Sequence, residues 1–172
     1  MNGWDVSADT PLEAIFTWCS EKRGVDRLLL SARLDKEKKR PTLLRPTLSE
    51  TVDQIFGDHL LSTRMVKRWP GTELYGHKGV VFLVAFDPTL ISSMAQVGTL
   101  LSNWRHNNNP PLPEDPCLFR QGDEWPVLVT VTHERDAWIL SDERPPFCSG
   151  EPFVFKPDNL LVPPASEGFV GP

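Results

Sequence analysis

The chain has no long hydrophobic run. Nothing in its 172 residues approaches the roughly 18-residue apolar stretch of a membrane-spanning helix, so no such helix is expected. The N-terminal stretch MNGWDVSADTPLEAIF lacks both a basic n-region and an apolar h-region. No secretory leader is therefore expected, and the expected location is cytoplasmic. Cysteine is scarce, with 3 residues, Cys19, Cys117 and Cys148. An odd, widely spaced set makes no disulfide framework. No C-x-x-C or paired-histidine spacing suggests zinc. The three read as buried free thiols, which behave as small hydrophobes.

Glycine is sparse and scattered, 11 in all, and forms no loop that would cradle a phosphate. The G-x-S-x-G, P-loop and G-x-G-x-x-G patterns are missing, as is the calcium-loop pattern. No cofactor is expected. Clustered Lys and Arg are also wanting where they would count. The net charge is −5, and it is uneven. Residues 1–68 carry a balance of +2, and residues 69–172 a balance of −7. An acidic second half argues against nucleic acid and against an anionic membrane surface. It favours a basic partner, through complementary potential.

What is present is a pattern of alternating elements. Thr10-Pro11-Leu12-Glu13 is a helix start, with Thr10 as cap and Glu13 closing a capping box. Leu12, Ile15, Phe16 and Cys19 share one face, and Gly24 ends a helix over 11–23. A strand is expected at 27–34. The charged run at 35–40 and Pro41 and Pro46 mark a loop. Thr47-Leu48-Ser49-Glu50 repeats the capping box. Val52, Ile55, Phe56 and Leu60, extended by Met65, predict a helix running to Trp69-Pro70-Gly71.

The apolar run 79–86 predicts a strand buried on both faces. Asp87-Pro88 then opens a third helix, with Leu90, Met94, Val97, Leu101 and Trp104 as its buried stripe. Three further strands, at 117–120, 127–132 and 137–140, predict an antiparallel meander. Phe153-Val154-Phe155 reads as one more edge strand or as a segment packed across the domain. The expected class is α+β: a mixed sheet of about five strands ending in the meander, three helices packed on it, and one right-handed parallel crossover joining 27–34 to 79–86. Residues 1–145 are expected to form one domain. Residues 146–172 read as a proline-rich extension that packs on it or is partly disordered.

The segment 113–140 carries the candidate chemistry. Glu114, Asp115, Asp123, Glu124, Glu134 and Asp136 gather in its loop and turns. Trp125 follows the acidic turn, and Trp is enriched at binding hot spots. Prolines at 113 and 116 stiffen the loop, so its carboxylates lose little entropy on binding. Glu114 and Asp115, with Asp123 or Glu134, are also a candidate Mg²⁺ or Ca²⁺ set. His133 is a candidate general base, with Glu134 or Asp136 orienting it. Adjacent strand residues point to opposite faces, however, which separates His133 from Glu134.

In composition, and in lacking catalytic motifs, the chain is similar to small acidic cytosolic α+β proteins that neutralise a toxin, such as bacterial immunity proteins. That resemblance implies a binding protein that neutralises or regulates a basic, toxin-like partner through Glu114, Asp115, Asp123, Glu124, Trp125, Glu134 and Asp136. Two alternatives stand beside it. One is a hydrolase using His133 with a carboxylate, with or without a metal. The other is a secretion chaperone or adaptor that binds a client peptide.

Overall fold

The computed structural model describes residues 2–34, 46–75, 78–105, 111–123 and 125–154. They form an α+β fold with 3 helices and one 8-stranded sheet. The strands of the sheet are β1 (Asn2–Asp5), β2 (Arg27–Arg33), β3 (Leu60–Val66), β6 (Gly79–Ala85), β7 (Glu114–Phe119), β8 (Leu128–Val131), β9 (Asp136–Leu140) and β10 (Phe153–Val154). Their order across the sheet is β10-β1-β9-β8-β7-β2-β6-β3. Two short strands, β4 (Arg68–Trp69) and β5 (Thr72–Glu73), pair separately as a hairpin. The helices are α1 (Leu12–Arg23), α2 (Pro46–Phe56) and α3 (Pro88–Val97).

Every strand pairing among the described residues is antiparallel. The expected mixed sheet of about five strands is therefore corrected, and the cause lies in residues 60–66. They form strand β3 where the sequence spacing predicts a continuing helix. Gly57 interrupts α2, because glycine costs helix about 1 kcal/mol relative to alanine. Beyond it Leu61, Thr63 and Met65 are exposed while Leu60, Ser62, Arg64 and Val66 are half-buried, which is the period of a strand. The extra strand reverses the chain, so 79–85 returns antiparallel to β2. The expected parallel crossover from 27–34 to 79–86 is therefore overturned; β2 runs parallel instead to β3, which it does not pair with, β6 lying between them.

The meander β7-β8-β9 forms as the alternation at 127–132 predicts. β1 is a strand that the sequence reading passed over, and β10 adds the far edge. The helix starts differ in detail. Asp87 caps α3, its carboxylate accepting from the Thr89 amide at 2.7 Å. The Thr10–Glu13 box does not form. Instead the Leu12 amide, at the start of α1, donates to the Thr99 carbonyl at 2.9 Å. The third helix stops at Val97, and Gly98 is extended there. Gly98 also packs against the Trp104 ring, where a Cβ would collide.

Strand periodicity sends alternate residues to opposite faces, and both faces are apolar. On one face Leu28, Leu30, Val80, Phe82, Val84, Leu118, Leu128 and Ile139 meet the helices through Leu12, Ile15, Phe16, Val52, Phe56, Leu90 and Met94. On the other, Leu29, Val81, Cys117, Phe119, Val129 and Leu140 form a second core with Trp69. An arm formed by 67–75 lies on this second face. Gly71 sits on Val129, Val131 and Trp138 with φ +79°. Only glycine fits there, since a side chain would meet both steric strain and Val131. Cys19, Cys117 and Cys148 are free and buried.

Candidate functional site

The structure divides the seven acidic-segment residues into separate environments. Glu114 and Asp115 are interior, 1% and 0% exposed, and they belong to β7 instead of a surface loop. All six residues of β7 are buried, since the strand lies inside a sheet covered on both faces, and a bulge sets the direction of these two. Between Leu29↔Cys117 and Ser31↔Glu114, β2 advances two residues while β7 advances three. The surplus residue falls at Asp115–Pro116, and Asp115 takes φ +52° to accommodate it. Both carboxylates then turn inward.

Asp115 accepts from Trp69 Nε1 at 2.8 Å and from the Thr132 amide at 2.7 Å. Thr132 Oγ1 lies 3.0 Å from the same carboxylate and 2.9 Å from the Trp104 carbonyl. A hydroxyl has one proton to give. If Thr132 donates to Trp104, a protonated Asp115 completes the set by donating to Thr132. Burial pushes the Asp115 carboxyl above its usual range, and the charge of Glu114 adds to that. The residue works as a bracket, tying the arm (through Trp69), β7 and the end of β8 together.

Glu114 faces a mixed cluster. Arg33 Nε is 3.8 Å from its carboxylate. Arg33 Nη2 is 2.8 Å from His133 Nε2, and that nitrogen is 3.5 Å from Glu134. Sequence alternation predicts that His133 and Glu134 diverge. They meet because both belong to the turn after β8, where strand periodicity no longer applies. Arg33, on β2, has no local signal linking it to this turn.

Asp123 and Trp125 lie at the opposite end of β8 from Glu134 and Asp136. The strand's four residues span about 13 Å at roughly 3.3 Å each, so the two acidic turns stand at opposite ends of β8. Asp123 is bound by Arg120 through two bonds of 2.8 and 3.3 Å. Trp125 packs, half-buried, on the second core. Glu124 lies outside the described residues. Glu134 and Asp136 are exposed.

Exposed carboxylates gather elsewhere, along the β9-β1-β10 flank. Asp5 ends β1, Asp136 begins β9, and Glu134 precedes it. Beyond the other end of β9 lie Asp142 and Glu143, while Glu151 precedes β10 on the Asp5 side of the register, all three exposed. The two arginines nearby are engaged. Arg135 pairs with Asp9 at 3.0 Å. Arg144 donates twice to the Cys148 carbonyl and lies 5.8 Å over the Trp4 ring. Across the sheet, the β3 side exposes Lys67, Arg68 and Lys78. Asp5 carries no signal in the sequence, because a short strand containing Gly3 has little strand pattern. Asp142, Glu143 and Glu151 carry none either, because the surrounding prolines interrupt any strand or helix pattern there.

No group of three or more His, Cys, Asp or Glu among the described residues is arranged to hold a metal. No helix among them is long and apolar enough to cross a membrane. The described residues thus define an α+β fold with exposed carboxylates at both ends of the β9-β1-β10 border. No family model, curated protein or solved structure matches the chain.

Proposed function

We propose that the protein binds a basic protein partner through the β9-β1-β10 flank and neutralises or regulates it, in the manner of an immunity or antitoxin-like protein. The observation that carries this is the gathering of Asp5, Glu134, Asp136, Asp142, Glu143 and Glu151, all exposed, along one side of a rigid sheet. Such a surface raises the encounter rate with a cationic protein and disfavours acidic ones. It keeps two residues of the 113–140 segment, Glu134 and Asp136, and replaces the buried Glu114 and Asp115 with acids from β1 and the 141–151 segment.

The test uses two baits in extracts of the protein's own cells, at roughly 50 and 300 mM salt, a range over which screening grows strongly. One bait is wild type. The other carries Asp5→Lys, Glu134→Lys, Asp136→Lys and Asp142→Lys. A basic protein retained by wild type should be lost by the variant and weakened by salt. With the partner purified, its association rate should fall about tenfold or more. Equal retention by both baits would discard this contact face.

A second reading rests on the Arg33–Glu114–His133–Glu134 cluster. It supplies an imidazole next to a carboxylate and a guanidinium, the groups needed for acid–base hydrolysis. Chromogenic esters and phosphomonoesters are suitable probes. The reading requires turnover that drops about 100-fold or more in His133→Ala. A rate at the buffer level, or one unchanged in that variant, removes it.

A further inference from the structure

We propose that β3 is a self-association edge: two copies pair their β3 strands antiparallel about Thr63, joining two sheets into one. β3 runs for seven residues, LLSTRMV, with one charge and no proline; its register with β6 shifts at Leu61 and is regular from Ser62 to Val66. Among the described residues it pairs on one side only, with β6. A long edge of this composition is a template for another strand.

The exposed side chains of β3 are self-complementary in that register. Leu61 and Met65 are 40% and 50% exposed, two residues either side of Thr63. Antiparallel pairing about Thr63 sets Leu61 opposite the partner's Met65, and Met65 opposite the partner's Leu61. Both exposed apolar groups are then covered twice over by one two-fold operation, the commonest symmetry of homo-oligomers. Charge agrees with the same direction. Asp58 stands exposed just before the strand, and Lys67 and Arg68 stand exposed just after it. None of the three forms an ion pair among the described residues. Antiparallel pairing carries each Asp58 toward the partner's Lys67 and Arg68, whereas parallel pairing would stack like charges. The proposal does not depend on the acidic flank, which lies at the other border of the sheet.

Sedimentation velocity of the full chain, over about 1–100 µM, is expected to show a concentration-dependent dimer. Asp58→Lys should raise the dimer dissociation constant about tenfold or more by placing like charges at both ends. Adding Lys67→Asp and Arg68→Asp to that variant should recover the dimer. Thr63→Cys gives an independent readout. Facing Cα atoms of an antiparallel pair are about 4.5–5.5 Å apart, inside the roughly 4.4–6.8 Å range of disulfides. Mild oxidation should therefore link two chains through position 63, because the natural thiols are buried. A monomer at every concentration overturns the proposal. So does a dimer that neither responds to Asp58→Lys nor cross-links through position 63.

Discussion

Asp115→Ala is expected to lower the stability of the protein by about 3–5 kcal/mol, measured by urea denaturation, at roughly 1–3 kcal/mol for each of two buried donors left without an acceptor. The substitution strands two buried donors, Trp69 Nε1 and the Thr132 amide, that now bond the carboxylate. It does not remove the need for φ +52° at that position, so alanine inherits the strain without the bonds that offset it. A loss below about 1 kcal/mol would mean that the bracket is not what holds the arm and the end of β8. Asp115→Asn should cost less, roughly 1–3 kcal/mol. An amide presents one oxygen where the carboxyl presents two, so one of the two donors must face an N–H.

The same pair of proteins reports the charge state. The folded carboxyl titrates above its ordinary value because burial penalises the ion. A raised carboxyl favours the fold while protonated. Its contribution is complete below the usual aspartate value of about 3.9 and is lost as pH climbs through the folded value. The stability advantage of wild type over Asp115→Asn should therefore shrink with rising pH from about 4 upward. An advantage that grows over that interval would show the carboxylate ion to be the favoured form.

The second large effect belongs to Trp69→Ala, expected to cost about 3–5 kcal/mol for deletion of a buried aromatic. Trp69 is 2% exposed in the second core and is the arm's tie to Asp115. Because the two residues share one bond, the double variant should lose about 0.5–3 kcal/mol less than the sum of the singles. Tyr75, on the same arm but 82% exposed, is the control, and Tyr75→Ala should stay within about 0.5 kcal/mol of wild type. Equal losses at Trp69 and Tyr75 would mean that the arm is not seated on the sheet as described.

Local pattern was enough for the parts of the chain whose structure is decided by near neighbours. The stripe Leu12–Ile15–Phe16–Cys19 placed α1, and Asp87-Pro88 placed the start of α3. The alternation at 127–132 and the run at 79–85 placed strands. Where the pattern was short it misled. Ile55, Phe56 and Leu60 share a helical spacing, yet Gly57 and the pairing with β6 turned 60–66 into an edge strand. That outcome needs a partner strand distant in sequence, which periodicity cannot supply.

The candidate site follows the same division. Composition alone located the negative charge in the second half of the chain and made a basic partner the expected one. It also showed that no ordinary nucleophile or phosphate motif was present. Which acids face solvent was not legible, because exposure depends on register. Membership of β7, a strand covered on both faces, made Glu114 and Asp115 interior groups, and the pairing of β1 with β9 and β10 brought Asp5 and Glu151 to one border of the sheet. Periodicity and composition are properties of a segment and its immediate neighbours. Side-chain direction at a bulge, and the company a carboxylate keeps, are set by strands more than a hundred residues apart meeting in one sheet.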